Sequence, residues 1–217
     1  MECKIDLEKN KEYYARNDLE LCDCSYCKNY YMQIEEKYPK IKEYLFSMNI
    51  DIVKPLELMW LDVDENNIAE YVACQYVVFG TCEEDFSNEI DGVRFCITDG
   101  HPYTGIENED HFVLDFAPVK LEMKFIRCPV CGTIEFDPND YEWSICKECY
   151  WEYDKLQVED PDYWGGANCL SLNEYKKLYE KLKAKDRYFS CRNEKDREMM
   201  VKLDRELGLQ YHPEAKH

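Results

Sequence analysis

The chain has 217 residues, 45% of them hydrophobic, enough for one large core or two modest ones. Its formal net charge of −19 argues against a nucleic-acid binder, because that work runs on Lys and Arg displacing counterions from phosphates. The opening MECKIDLEKNKEYY lacks the apolar stretch of a signal peptide and no run is long enough to span a bilayer, so a soluble cytoplasmic protein is expected.

In chain order, residues 5–20 are polar and read as helical in part. Tyr31, Ile34, Tyr38, Ile41, Leu45 and Met48 then recur at spacings of three and four, the stripe of an amphipathic helix. Pro39 falls inside that stripe, so a kink or two short helices meeting there is expected. From residue 56 the period changes to two. LELMWLDV (56–63), AEYVACQYVVF (69–79), GVRFCIT (92–98), HFVLDFA (111–117) and VKLEMKFI (119–126) read as strands, with turn residues in the links, including EEDFSNEIDG (83–92). The expected class is α+β: an antiparallel sheet packed by the preceding helix, then a cysteine-rich domain and C-terminal helices. The boundary is placed between an acidic domain, 1–126, and a second domain, 127–217.

Charge is concentrated within the first of these. Residues 57–116 carry 15 acidic side chains and one base, Arg94. An acidic surface is ordinarily a solubility feature, but one this dense would steer a basic protein partner inward.

Beyond the strands lie Cys128-x2-Cys131 and Cys146-x2-Cys149, separated by 14 residues. Two such pairs at that distance are the ligand pattern of a zinc ribbon or knuckle, since each tight turn aims two sulfurs at one point. Pro129 fixes the first turn and Gly132 can take positive φ, while Asp137-Pro138-Asn139-Asp140 turns the chain back to join the pairs. The alternatives are redox dithiols or plain buried cysteines. Thiolates are soft donors that suit Zn2+, and four of them leave no position for water, so the expected zinc is structural. With no export signal, the 13 cysteines are expected as reduced thiols and metal ligands and not as a disulfide framework. Further on, Ser171 and Glu174 form a capping box ahead of Leu172, Tyr175, Leu178 and Leu182. A last helix is read from near Asn193, burying Met200, Leu203 and Leu207 and ending at Gly208 as a left-handed cap.

CPVCG, the Tyr141 that precedes Cys146-x2-Cys149, Tyr150-Trp151-Glu152, Asp160-Pro161, Gly165-Gly166-Ala167-Asn168 and Ser171-Leu172-Asn173-Glu174 together resemble the bacterial cysteine-rich CPCC domain over roughly residues 126–180. Val130 stands where that family has the first cysteine of its adjacent Cys-Cys pair, which leaves Cys128, Cys131, Cys146 and Cys149 as the ligands the resemblance transfers. The family brings no established activity. Some members look like neighbours of bacterial toxin systems, an association and not a mechanism, which puts a toxin-neutralising, immunity-like role among the expectations. The N-terminal part resembles uncharacterised bacterial proteins through DCSYCKNYY (23–31) and IDIVKPLEL (50–58), and that brings no function either.

Two other groups of residues could carry chemistry. Cys22, Cys24 and Cys27 precede a helix, where Cys24 and Cys27 could serve a thiol–disulfide oxidoreductase. The thioredoxin-like context wants a buried strand just before, and NDLELCD is a poor one. A second metal site there would need help from Cys3, Cys74, Cys82 or Cys96. His101 and His111 flank an acidic loop in which a hydrolase could be built, without any accompanying catalytic motif. The reading that results is a binding protein with structural zinc, with an enzyme or a zinc protein of unassigned role as the alternatives.

Overall fold

The chain opens with a two-residue strand, β1 (Lys4–Ile5), and a short helix, α1 (Leu7–Tyr14), in the computed structural model, which describes residues 3–83, 85–98 and 104–213. The apolar stripe of 31–48 is two helices, α2 (Ser25–Lys37) and α3 (Pro39–Phe46). Pro39 has no amide proton to give, so α2 must stop before it, and the same residue is well suited to begin α3. Tyr30, Ile34, Ile41 and Leu45 are buried, whereas Tyr31 and Tyr38 of the expected stripe are half-buried.

Strands β2 (Glu57–Trp60), β3 (Ile68–Thr81), β4 (Ser87–Ile90), β5 (Val93–Ile97), β6 (His111–Ala117) and β7 (Val119–Glu122) join β1 in one antiparallel sheet. β3 is its spine. One edge pairs with β2 and then β1, the other with β7 and then β6, which hold a single register across Pro118. Ala73 to Phe79 are buried without a break. Their polar neighbours are satisfied inside the core: the Tyr76 hydroxyl donates to the Ile52 carbonyl at 2.6 Å and lies 2.9 Å from the Tyr30 hydroxyl. Asn10 accepts from the Phe79 amide and donates to the Met48 carbonyl, both at 2.8 Å.

Three expectations change here. The link at 83–92 contains a strand, β4, turned onto β5 through Asp91 (φ 53°) and Gly92 (φ 79°), the Asp-Gly pair of a tight hairpin turn. Cys3 and Cys82 form a disulfide, so reduced thiols describe the remaining eleven cysteines. The cause is register: β1 sets Lys4 opposite Thr81, which brings the next residues outward, Cys3 and Cys82, face to face. The last strand ends at Glu122, although burial still alternates through Phe125.

The chain divides into two units, 1–123 and 124–217. Ile126, expected in the last strand of the first domain, pairs instead with Phe136 in the second, where β8 (Ile126–Arg127) meets β9 (Ile134–Phe136). Helices α4 (Lys155–Glu159), α5 (Leu172–Lys185) and α6 (Glu194–Tyr211) follow. The capping box of α5 is complete, with Ser171 accepting from the Glu174 amide and the Glu174 carboxylate from the Ser171 amide. α6 starts at its Asn193 cap and runs through Gly208 to Tyr211, so Gly208 is not a terminator. A Cβ there would sit 2.6 Å from the Cys169 Cβ, so glycine lets the helix backbone lie against that residue. Asp204 fastens the same contact by accepting from the Cys169 and Leu170 amides at 3.2 and 2.9 Å. Among the described residues no helix is long and apolar enough to cross a membrane.

Candidate metal centre

Each cysteine pair forms a knuckle, and the two knuckles repeat one backbone pattern. In the first, the Gly132 amide donates to the Cys128 carbonyl at 2.9 Å and the Cys128 amide to the Thr133 carbonyl at 2.8 Å. In the second, the Tyr150 amide donates to Cys146 and the Cys146 amide to Trp151, both at 2.8 Å. Gly132 closes its turn at φ 76° and Tyr150 at φ 65°, a left-handed conformation that is uncommon for a bulky side chain. The first knuckle lies between paired β8 and β9, the second inside the bridge of Ile145 with Glu152. The expected turn at Asp137 is present, its carboxylate accepting from the Asn139 amide.

These turns bring all four predicted sulfurs together within 4.8 Å of one another, so the cluster could hold a metal ion. Two of the contacts join opposite knuckles, Cys128 to Cys149 at 3.5 Å and Cys131 to Cys146 at 3.6 Å. Crowding sets the thiols against each other. Hydrogen bonding, first from Cys128, holds Cys131 well below the usual thiol range, and Cys146 and Cys149 are pushed up by their own contacts with Cys128. A cation among them would let all four ionise. Cys128, Cys146 and Cys149 are also part of a core with Trp151, Leu170, Tyr175, Phe189 and Met200.

The remaining motif residues of this unit are engaged in its architecture. The buried Asp154 caps α4 and reaches across to the Ala167 amide at 2.8 Å. Gln157 donates to the Leu170 carbonyl at 3.0 Å and accepts from Asn168 Nδ2 at 2.9 Å. Asn168 in turn brackets Glu152, accepting from its amide at 3.0 Å and donating to its carbonyl at 2.8 Å. The Gly166-Ala167-Asn168 run thus wraps around α4 and carries no reactive group. Asp154 and Gln157 were not singled out in the sequence, although Asp-x-x-Gln before a short helix has the spacing of a capping box.

In the first unit, Cys24 is the N-cap of α2 and its Sγ accepts from the Cys27 amide at 3.5 Å. Cys22 joins them, the three sulfurs lying within 4.8 Å, and this group too could hold a metal ion. The sequence had sought extra ligands in Cys3, Cys74, Cys82 and Cys96, and none of them is in this group. Cys24 is lowered to about 5, chiefly by its hydrogen bond with Cys27, whose own thiol is pushed far up. With the cluster free of metal, alkylation of Cys24 by iodoacetamide should therefore rise from pH 4 to about 6 and then level off. A rate still climbing about tenfold per pH unit between 6 and 8, as for an ordinary thiol, would refute a thiolate there.

The segment from 16 to 24 contains no strand, so the setting that a thioredoxin-like dithiol wants is not found before α2. His101 lies outside the described residues. Both ring nitrogens of His111 are engaged, Nδ1 with the Glu109 carbonyl at 2.8 Å and Nε2 with the Thr104 hydroxyl at 2.9 Å.

Residues 126–198 match the model of the cysteine-rich CPCC family, extending past the 126–180 of the resemblance into the first turns of α6. No curated protein and no solved structure matches the chain.

Proposed function

We propose that Cys128, Cys131, Cys146 and Cys149 hold a structural zinc in a zinc-ribbon-like pair of knuckles, and that the protein works by binding a basic protein through its acidic first unit. The observation that supports the zinc is the matched pair of turns. A tetrahedron of Zn–S bonds of about 2.3 Å has edges of about 3.8 Å, close to the 3.5 and 3.6 Å between sulfurs of opposite knuckles. Four soft thiolates suit zinc over hard cations and close its coordination, which leaves the ion to cross-link the fold.

Exposure supports the partner. Glu57, Asp62, Asp64, Glu65, Glu83, Asp85, Glu89 and Glu107 are all exposed, as are Asp91 and Glu109. Lysines from outside the 57–116 stretch offset part of this charge: Lys9 meets Glu109 at 2.9 Å, Lys40 meets Asp91 at 2.6 Å and Lys120 meets Glu70 at 3.1 Å. A basic toxin is one partner of the complementary chemistry.

The test is capture of a partner at low salt followed by association kinetics. Long-range steering is screened within about 8 Å at physiological ionic strength, so the on-rate should fall by roughly an order of magnitude or more as salt rises, the off-rate changing less. Charge reversal at Glu83 and Asp85 should slow association; reversal at Glu194 or Glu198 in α6 should not. Glu84, between the first two, lies outside the described residues. A partner whose on-rate ignores salt would reduce the acidic surface to a solubility feature.

A further inference from the structure

The three-cysteine cluster of the first unit differs from the four-cysteine centre in being incomplete. Cys22 is exposed in the segment before α2, Cys24 is half-buried at the cap, and Cys27 is buried one turn in. Cysteines that merely fill space have no reason to aim three sulfurs at one point from a stretch of six residues, and among the described residues no histidine, carboxylate or fourth cysteine completes the group. A cleft of about 270 Å3 opens beside them, walled by Cys22, Cys27, Tyr31 and Leu56 and by two acidic residues, Glu20 and Glu57.

We propose that Cys22, Cys24 and Cys27 form an open three-thiolate site for a soft closed-shell cation, zinc or copper(I), on the cleft beside α2. Thiolates select such ions over hard ones. The helix end favours negative charge at Cys24, whose sulfur already accepts an amide at 3.5 Å, so the donor set is poised before an ion arrives. Copper(I) is satisfied by three sulfurs. Zinc needs a fourth ligand, and water would reach it through the cleft, whose Glu20 and Glu57 carboxylates disfavour a small anion. Protein sites with three ligands and one open position are those that exchange ligands, whereas the four-thiolate centre has no such position.

The test is metal counting on the full chain with its Cys3–Cys82 disulfide intact and its other thiols reduced, kept anaerobic, with zinc competed against a chromophoric chelator and copper(I) competed against its own chelator in a separate arm. In at least one arm, wild type should bind one equivalent more than Cys22→Ser or Cys24→Ser, with affinity for that equivalent weakened about tenfold or more in the variants. Serine is itself a preferred N-cap, so Cys24→Ser keeps the start of α2 and a lost equivalent cannot be blamed on unfolding. Gain in the zinc arm alone identifies a four-coordinate ion with an exogenous ligand; gain in the copper arm alone identifies the three-coordinate form. Equal equivalents in wild type and both variants, in both arms, overturn the site.

Discussion

Removing the zinc proposed for the four-cysteine centre should unfold the second unit. Structural zinc contributes on the order of 10 kcal/mol to folding in small metal-bound domains, comparable to the whole stability of about 5–15 kcal/mol expected for a domain. β8 has two residues and β9 three, and the three helices pack on a core in which Cys128, Cys146 and Cys149 are themselves central. Trp151 and Tyr175 meet edge to face at 5.0 Å in that core, and the Tyr175 hydroxyl donates to the Cys149 carbonyl at 3.2 Å. Without the proposed zinc, three of its four ligands are buried thiols that crowd one another with no cross-link between them. Cys146→Ser, or chelation of wild type, should abolish the near-ultraviolet dichroism of the second unit's tryptophans and open 124–217 to proteolysis. A chelated protein that keeps its tertiary signal and its urea midpoint would show the thiols to be ordinary core.

What could be read beforehand was local. The knuckles need only the residues between Cys128 and Gly132 and between Cys146 and Tyr150, so spacing alone predicts them. The capping box at Ser171 and the break at Pro39 are local in the same way. What could not be read depends on contacts far along the chain. β1 exists because two residues find Gly80 and Thr81, and the Cys3–Cys82 disulfide follows from that register. β4 has only Ile90 as an apolar residue, and β5 supplies the pairing that its own pattern does not announce. Gly208 looked like a helix stop because a glycine is cheap there, but its real partner is Cys169, 39 positions away in sequence. Cys22, Cys24 and Cys27 stand together in the sequence as a second metal or redox site, but the sequence looks for its further ligands in Cys3, Cys74, Cys82 or Cys96, because convergence of three sulfurs is set by the loop's path and not by spacing.

The second large effect is expected at Asp154, which belongs to neither cysteine cluster. Its carboxylate is 2% exposed and accepts three amides: Leu156 at 2.8 Å, Gln157 at 3.4 Å and, across the loop, Ala167 at 2.8 Å. Asp154→Ala would leave the Gln157 amide buried and the Leu156 and Ala167 amides partly buried without this acceptor, and would remove the cap of α4, at a cost of about 3 kcal/mol. At about 4–8 °C per kcal/mol for a unit of this size, the melting temperature of the metal-loaded protein should fall by more than 10 °C. Asp154→Asn separates charge from shape. It can still cap α4, but its amide would face the Ala167 N–H donor to donor, so it should fall between wild type and alanine. Gly166 supplies an internal check. A Cβ there would lie 2.2 Å from Asp154 Oδ2 and 2.9 Å from Gln157, so Gly166→Ala should itself be strongly destabilising. In the Asp154→Ala background the nearer of those clashes is gone, and the double variant should cost less than its two parts together. Additive losses would mean that Asp154 and Gly166 do not meet as described. A melting shift under about 5 °C for Asp154→Ala would mean that the three amides find other acceptors, and that α4 does not depend on this carboxylate.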